Sequence, residues 1–374
     1  MLTNGRNRRL GLGPLSPSRL PACLWTAIEN AARMSIHTVC FPMLPRALLG
    51  SLLLALAQAC ASPPRPPMDA RSAAAATPEL DRRAAAAEQL ERVALLGASV
   101  TDGFGLALEL SGEQRSLADF LAAAERSADP GARQRLDLAD HLLFLQAEPA
   151  ARTQIEATAR FQPTLVLAPD LLFWFVYGDR REDQRLAAFE RGLALIDGLR
   201  ARLSAPLVLG DLPDMSSASE LMLPKSLRPS AATLEAANRR ATAWARERED
   251  VVLVPLADLA LALDDDGALS GPGWSFEPGE SDELLQADQL HPTVLGTALL
   301  LNLCFETLAE RQARLSLRQA PRAGSGDDAN RQGELAAERA AWRAAYASLL
   351  ELDPHRLAER VQSEAQAARL ADPR

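Results

Sequence analysis

Val93-Ala94-Leu95-Leu96-Gly97-Ala98-Ser99-Val100-Thr101-Asp102-Gly103 is an apolar run that ends in small residues and a serine. Residues 93–96 read as a buried strand, and the residues after them as a turn into a helix. Similar apolar runs recur at 164–168, 206–209 and 251–254. Stretches of helical character lie between them, at 114–126, 133–146, 184–203 and 231–249, and residues 294–309 read as a closing helix. Short continuous strands that alternate with helices predict a parallel sheet covered on both faces. The expected architecture is a three-layer α/β/α domain over residues 81–312.

The flanks differ in composition from this core. Met43-Leu44-Pro45-Arg46 followed by an apolar stretch at 47–57 reads as a secretory signal, with Met43 as the true start within a leader of residues 1–60. Leu56-Ala57-Gln58-Ala59-Cys60 resembles a lipoprotein signal, which makes Cys60 a lipidation and membrane-anchoring candidate; cleavage after Ala59 or Ala61 is the alternative. The expected location is therefore exported: periplasmic, membrane-anchored or secreted. Residues 61–80, rich in Pro and Ala, read as a linker. Residues 313–374 form a linker, polar at 322–333, and a helical tail. In the tail Leu335, Trp342, Tyr346 and Leu349 share one face, and Asp353-Pro354 starts a second helix. Packing on its own domain is the expected place for this tail.

Composition narrows the function. A net charge of −9 argues against binding to nucleic-acid phosphates. The four cysteines show no metal spacing, and no metal or organic cofactor is expected. A glycine-rich phosphate loop with lysine is missing from the sequence as well.

Ser99 falls at the carboxyl end of the first predicted strand, where parallel α/β sheets collect their ligands. A serine there can attack a substrate while its own N–H points into the same site. The competing reading is that Ser99 or Thr101 caps the following helix. Of the four histidines, His37 lies in the leader, His141 on a predicted helix and His355 in the tail. His291 alone occupies a loop before the closing helix, three residues after Asp288. Asp288 can fold back to the Nδ1–H of His291, leaving Nε2 for a serine. Orienting a surface histidine or capping the helix are its plainer alternatives, and Asp282 is the fallback acid.

Gly97-Ala98-Ser99-Val100-Thr101 followed by Asp288-Gln289-Leu290-His291, in the order Ser, Asp, His, resembles the SGNH (GDSL-type) hydrolase family. The resemblance implies a flavodoxin-like parallel sheet, with Ser99 as nucleophile, His291 as base and Asp288 as the acid that orients it. Ala98 stands where the family has Asp. The family's third motif, Gly-x-Asn-Asp, supplies an asparagine donor to the oxyanion, but here Pro169-Asp170-Leu171-Leu172 follows the matching strand. Asn238 and Asn302 both fall on predicted helices. Asp170 takes the approximate place of the missing amide. Ionised it cannot donate, protonated it could, and gripping a substrate hydroxyl is a third role. The glycine donor is open between Gly112 and Gly131.

Aromatic residues concentrate at Phe173, Trp174, Phe175 and Tyr177 in a chain with 5% of them. Trp174 and Tyr177 are candidates for a substrate cleft, with core packing the alternative. Asp211 is a further cleft candidate, in the loop after residues 206–209. The resulting expectation is an exported serine esterase acting on a small-molecule, polysaccharide or lipid ester. The alternative is a catalytically weak or inactive protein of the same fold that binds carbohydrate or lipid, or serves as a scaffold.

Overall fold

A computed structural model of the chain describes residues 70–126, 133–265, 267–280, 283–319 and 328–371. Helix α1 (Ala70–Gln89) leads into β1 (Arg92–Leu95); then follow α2 (Leu117–Ala124), β2 (Gln134–Asp137), α3 (Ala147–Phe161) and β3 (Leu165–Ala168). The chain continues through α4 (Glu182–Arg200), β4 (Leu207–Gly210), α5 (Ala231–Arg246), β5 (Val251–Val254) and α6 (Leu256–Asp264). A hairpin of β6 (Leu269–Gly271) and β7 (Trp274–Phe276) precedes α7 (Val294–Gln319), α8 (Asp328–Ala347) and α9 (Pro354–Ala371).

Strands β1 to β5 form one parallel sheet in the order β2-β1-β3-β4-β5. This is the flavodoxin-like order, and its direction reverses between β1 and β3, where such sheets open a crevice for ligands. The loop after β1 carries Ser99 and the loop after β3 carries Asp170, so both belong to that switch point.

Side-chain alternation along each strand divides the core in two. Val93, Leu95, Leu165, Leu167, Val208, Val252 and Val254 pack with α1, α2 and α7. Ala94, Leu96, Val166, Ala168, Leu207 and Leu209 pack with α3, α4 and α5, around Phe189, Ile196 and Trp244. Strands β3 and β4 are buried along their whole length, which is why they read as unbroken apolar runs.

The tail lies on the α7 face. Trp342 and Tyr346 are buried in the core shared with α7, with Leu335 and Leu349 partly buried against it. The indole Nε1 of Trp342 donates to Ser316 Oγ at 3.0 Å, and Asn302 Nδ2 on α7 donates to the Leu352 carbonyl at 2.7 Å. Asp353 caps α9 by accepting from Arg356 N.

Several expectations are corrected. Residues 133–146 are not a helix: they form edge strand β2 and a 3₁₀ turn, His141–Leu145. The alternation Arg135-Leu136-Asp137-Leu138 carries the strand's period of two, and β2 sits at the sheet edge, where polar residues are tolerated. Helices α3 and α6 and the β6–β7 hairpin occupy stretches left without assignment. The linker before residue 81 is helical from Ala70, and the one before the tail is helical from Asp328. Among the described residues no helix is long and apolar enough to cross a membrane.

Candidate active site

Two loops converge at the switch point. The first is the nucleophile loop, whose backbone is held almost atom by atom. Gln154 on α3 binds both sides of Gly97, accepting from its N–H at 3.1 Å and donating to its carbonyl at 2.9 Å. Asp170 takes the rest: one oxygen accepts from Ala98 N at 3.0 Å and Thr101 Oγ1 at 2.6 Å, the other from Val100 N at 2.9 Å and Thr101 N at 3.3 Å. Asp170 approaches so closely that a Cβ on residue 97 would lie 2.0 Å from its Oδ1, and Gly97 has φ +151°. Glycine at 97 is therefore required twice, by conformation and by contact. Ser99 opens a helical turn, Ser99–Asp102, and is partly exposed. Its N–H has no acceptor among the described residues, whereas those of Ala98, Val100 and Thr101 are all taken by Asp170.

The second loop runs from Leu284 to Thr293 and is closed on itself. Gln286 N donates to the His291 carbonyl at 2.8 Å, and Thr293 N to that of Leu284 at 3.0 Å. Asp288 divides its carboxylate. Oδ1 accepts from Leu290 N and His291 N, both at 3.0 Å, and Oδ2 lies 2.8 Å from His291 Nδ1. An ionised carboxylate only accepts, so Nδ1 carries the hydrogen and Nε2 presents a lone pair. That Nε2 lies 2.9 Å from Ser99 Oγ. Burial pushes the Asp288 carboxyl up, but the bonds from the His291 ring and the two N–H groups outweigh it and hold it below the usual carboxylate range. His291 itself is buried, with the ring of Phe104 4.7 Å from its own, centroid to centroid.

Gln286 joins the loops. Its Nε2 donates to the carbonyls of Phe104 and Pro292, each at 2.8 Å, and it packs where a Cβ on Gly105 would stand. Glu109 adds a second tie by accepting from Val294 N at the start of α7.

The remaining candidates are redistributed. Asp170 donates nothing to an oxyanion position. It is buried and accepts four hydrogen bonds from the serine loop; burial raises its pKa while those bonds oppose the rise. Gly112 is not a free donor either, because its N–H is committed to the Ala107 carbonyl at 2.7 Å. Trp174 and Tyr177 are core residues, 6% and 1% exposed, and the Tyr177 hydroxyl bridges Pro213 O and Met215 N. Asn238 and Asn302 both spend their amides on backbone or indole partners away from the serine. Gly131, Asp282 and Cys60 lie outside the described residues, as does the leader; Cys304 is buried and unpaired.

Asp211 caps α6 by accepting from Ala257 N at 2.7 Å, which explains it without a substrate. Burial raises its pKa to about 6. The folded state thus binds this proton more tightly than the unfolded chain, and the sign follows: stability from this group is present in acid and is lost as pH rises from the ordinary carboxyl range to about 6. Asp211→Asn keeps an acceptor for Ala257 and removes the titration. Its melting temperature is expected to vary less with pH across that window than that of the wild type.

Residues missed by sequence reasoning include Gln154 and Gln286, whose roles depend on tertiary neighbours. His141 and Asp102 were missed as well, as a bonded pair next to the serine turn. The signal for His141 was the period-two pattern just before it, which ends a strand at the same sheet edge as Ser99.

No family model matches the chain, and no curated relative matches it by sequence. Among solved structures it is similar to TesA, at 17% identity with a TM-score of 0.33, covering 58% of this chain and 97% of that one. It is also similar to a GDSL-like lipase from Bacteroides thetaiotaomicron, at 12% identity with a TM-score of 0.35, covering 63% of this chain and 97% of that one.

Proposed function

We propose that this protein is a serine hydrolase of the SGNH type that cleaves ester bonds. The observation that carries the reading is the continuous hydrogen-bonded chain from Asp288 through His291 to Ser99, with distances of 2.8 and 2.9 Å, at the switch point of a parallel sheet. Ser99 Oγ attacks the ester carbonyl as its proton passes to His291 Nε2. Asp288 holds the ring and stabilises the imidazolium. The imidazolium then protonates the leaving alcohol, and water repeats the sequence on the acyl-enzyme. The free N–H of Ser99 is the donor for the oxyanion. With Asp170 occupied by the serine loop and the Gly112 N–H committed, the Ser99 N–H is the one oxyanion donor identified among the described residues. One missing donor costs roughly 10²–10³ in turnover, so a modest rate is part of the proposal.

Export belongs to the same reading: the apolar stretch after Met43 directs secretion, with Cys60 as the anchor, and the substrate is a small-molecule, polysaccharide or lipid ester met outside the cytoplasm. The commitment of Asp170 to the serine loop, where the resembled family has an oxyanion donor, favours one competitor, a binding protein on the same fold. A fluorophosphonate probe separates the two. Covalent labelling of the wild type that vanishes in Ser99→Ala is expected; a folded wild type that takes no label would leave only the binding role.

A further inference from the structure

Beside the serine turn lies a second imidazole–carboxylate pair that the mechanism above leaves unused. Asp102 is the last residue of the turn that Ser99 opens, and its Oδ2 lies 2.8 Å from His141 Nδ1. The ring of Phe104 neighbours both histidines, 6.1 Å from that of His141 and 4.7 Å from that of His291 by centroid. Unlike His291, His141 is open to solvent: its side chain is 31% exposed and that of Asp102 26%. With Nδ1 on Asp102, the ring keeps one other nitrogen, Nε2, and no described residue bonds to it. The bond to Asp102 raises the pKa of His141 despite partial burial.

We propose that His141, held by Asp102, is a specificity-determining residue whose Nε2 hydrogen-bonds a neutral hydroxyl of the substrate next to the scissile ester. The inference rests on the hydrolase reading and deepens it. A neutral oxygen is favoured over an anion because Asp102 and Asp140 adjoin the ring, so an anionic group would meet carboxylates as well as the imidazole. The half-buried ring of Phe104 supplies an apolar surface near both imidazoles. Together they fit an ester whose alcohol part alternates carbon and hydroxyl, and they discriminate against a plain alkyl ester.

The test uses the full chain and two esters that differ only in hydroxyl groups, glycerol monoacetate and propyl acetate. Wild type is expected to prefer glycerol monoacetate. His141→Leu should lower kcat/KM for glycerol monoacetate roughly three- to tenfold, the range of one hydrogen bond, chiefly through KM. Propyl acetate should change less than about twofold, since no bond to it is lost. His141→Gln, which keeps an N–H donor, should recover part of the loss. Equal losses on both esters, or none on either, would overturn the inference; equal losses with a lowered melting temperature would mark the pair as a tie between two turns. Ser99→Ala is the separate control. If it hydrolyses both esters as fast as wild type, the hydrolase reading falls and carries this inference with it.

Discussion

Gly97→Ala is expected to destabilise the protein by about 3 kcal/mol or more and to remove Ser99-dependent turnover. A Cβ at this position would stand 2.0 Å from Asp170 Oδ1 and 2.5 Å from Thr101 Oγ1, on a backbone at φ +151°. Side chains with a Cβ rarely adopt that φ, so the residue strains even where space is made. The space comes only if Asp170 and the Thr101 hydroxyl both withdraw. Withdrawal strands the N–H groups of Ala98, Val100 and Thr101 in a buried setting, and a lost buried partner of a charged group costs about 1.5–3 kcal/mol. Denaturant unfolding measures the first effect, ester hydrolysis the second. The clash has a signature that a general packing defect lacks. In Gly97→Ala combined with Asp170→Ala, the two losses should fall short of adding, because the second substitution removes the nearer of the two atoms that the first one meets.

Asp288→Asn is expected to lower kcat by about 10⁴ with little loss of stability. Asparagine keeps an oxygen for the N–H groups of Leu290 and His291, so the loop from Leu284 to Thr293 should retain its shape. What changes is the group that faces His291 Nδ1. An amide N–H there donates, the hydrogen of the imidazole moves to Nε2, and the nitrogen 2.9 Å from Ser99 Oγ can no longer accept a proton. The same protein should still bind a non-hydrolysed ester with unchanged affinity. Steady-state kinetics with a thermal melt checks both halves. A variant that turns over normally would show that Asp288 only shapes the loop.

The buried strands were the most legible part of the chain. Residues 251–254 are β5 as read, and β3 and β4 differ from their expected bounds by a residue or so, because strands covered on both faces have nothing but apolar side chains to display. Strand β2 was lost to a helix reading since an edge strand keeps polar residues, and one alternating run of four is a short signal beside the Leu-rich turn that follows. That error also removed His141 from consideration, by assigning it to a helix. The residues Ser99, Asp288 and His291 were legible as residue types in order, and they come within hydrogen-bond reach of one another. Asp170 was legible as a position but not as a role. Whether a carboxylate there donates, grips a ligand or accepts from a neighbouring loop depends on which groups point at it, and these lie some seventy residues earlier in the chain.

Asp170 constrains how such a site can change. Its two oxygens serve four donors, whereas an asparagine side chain offers one oxygen and a nitrogen that cannot accept. Introducing the amide alone would leave part of the serine turn without an acceptor. The turn and the side chain that holds it are therefore a single unit, and neither can change without the other.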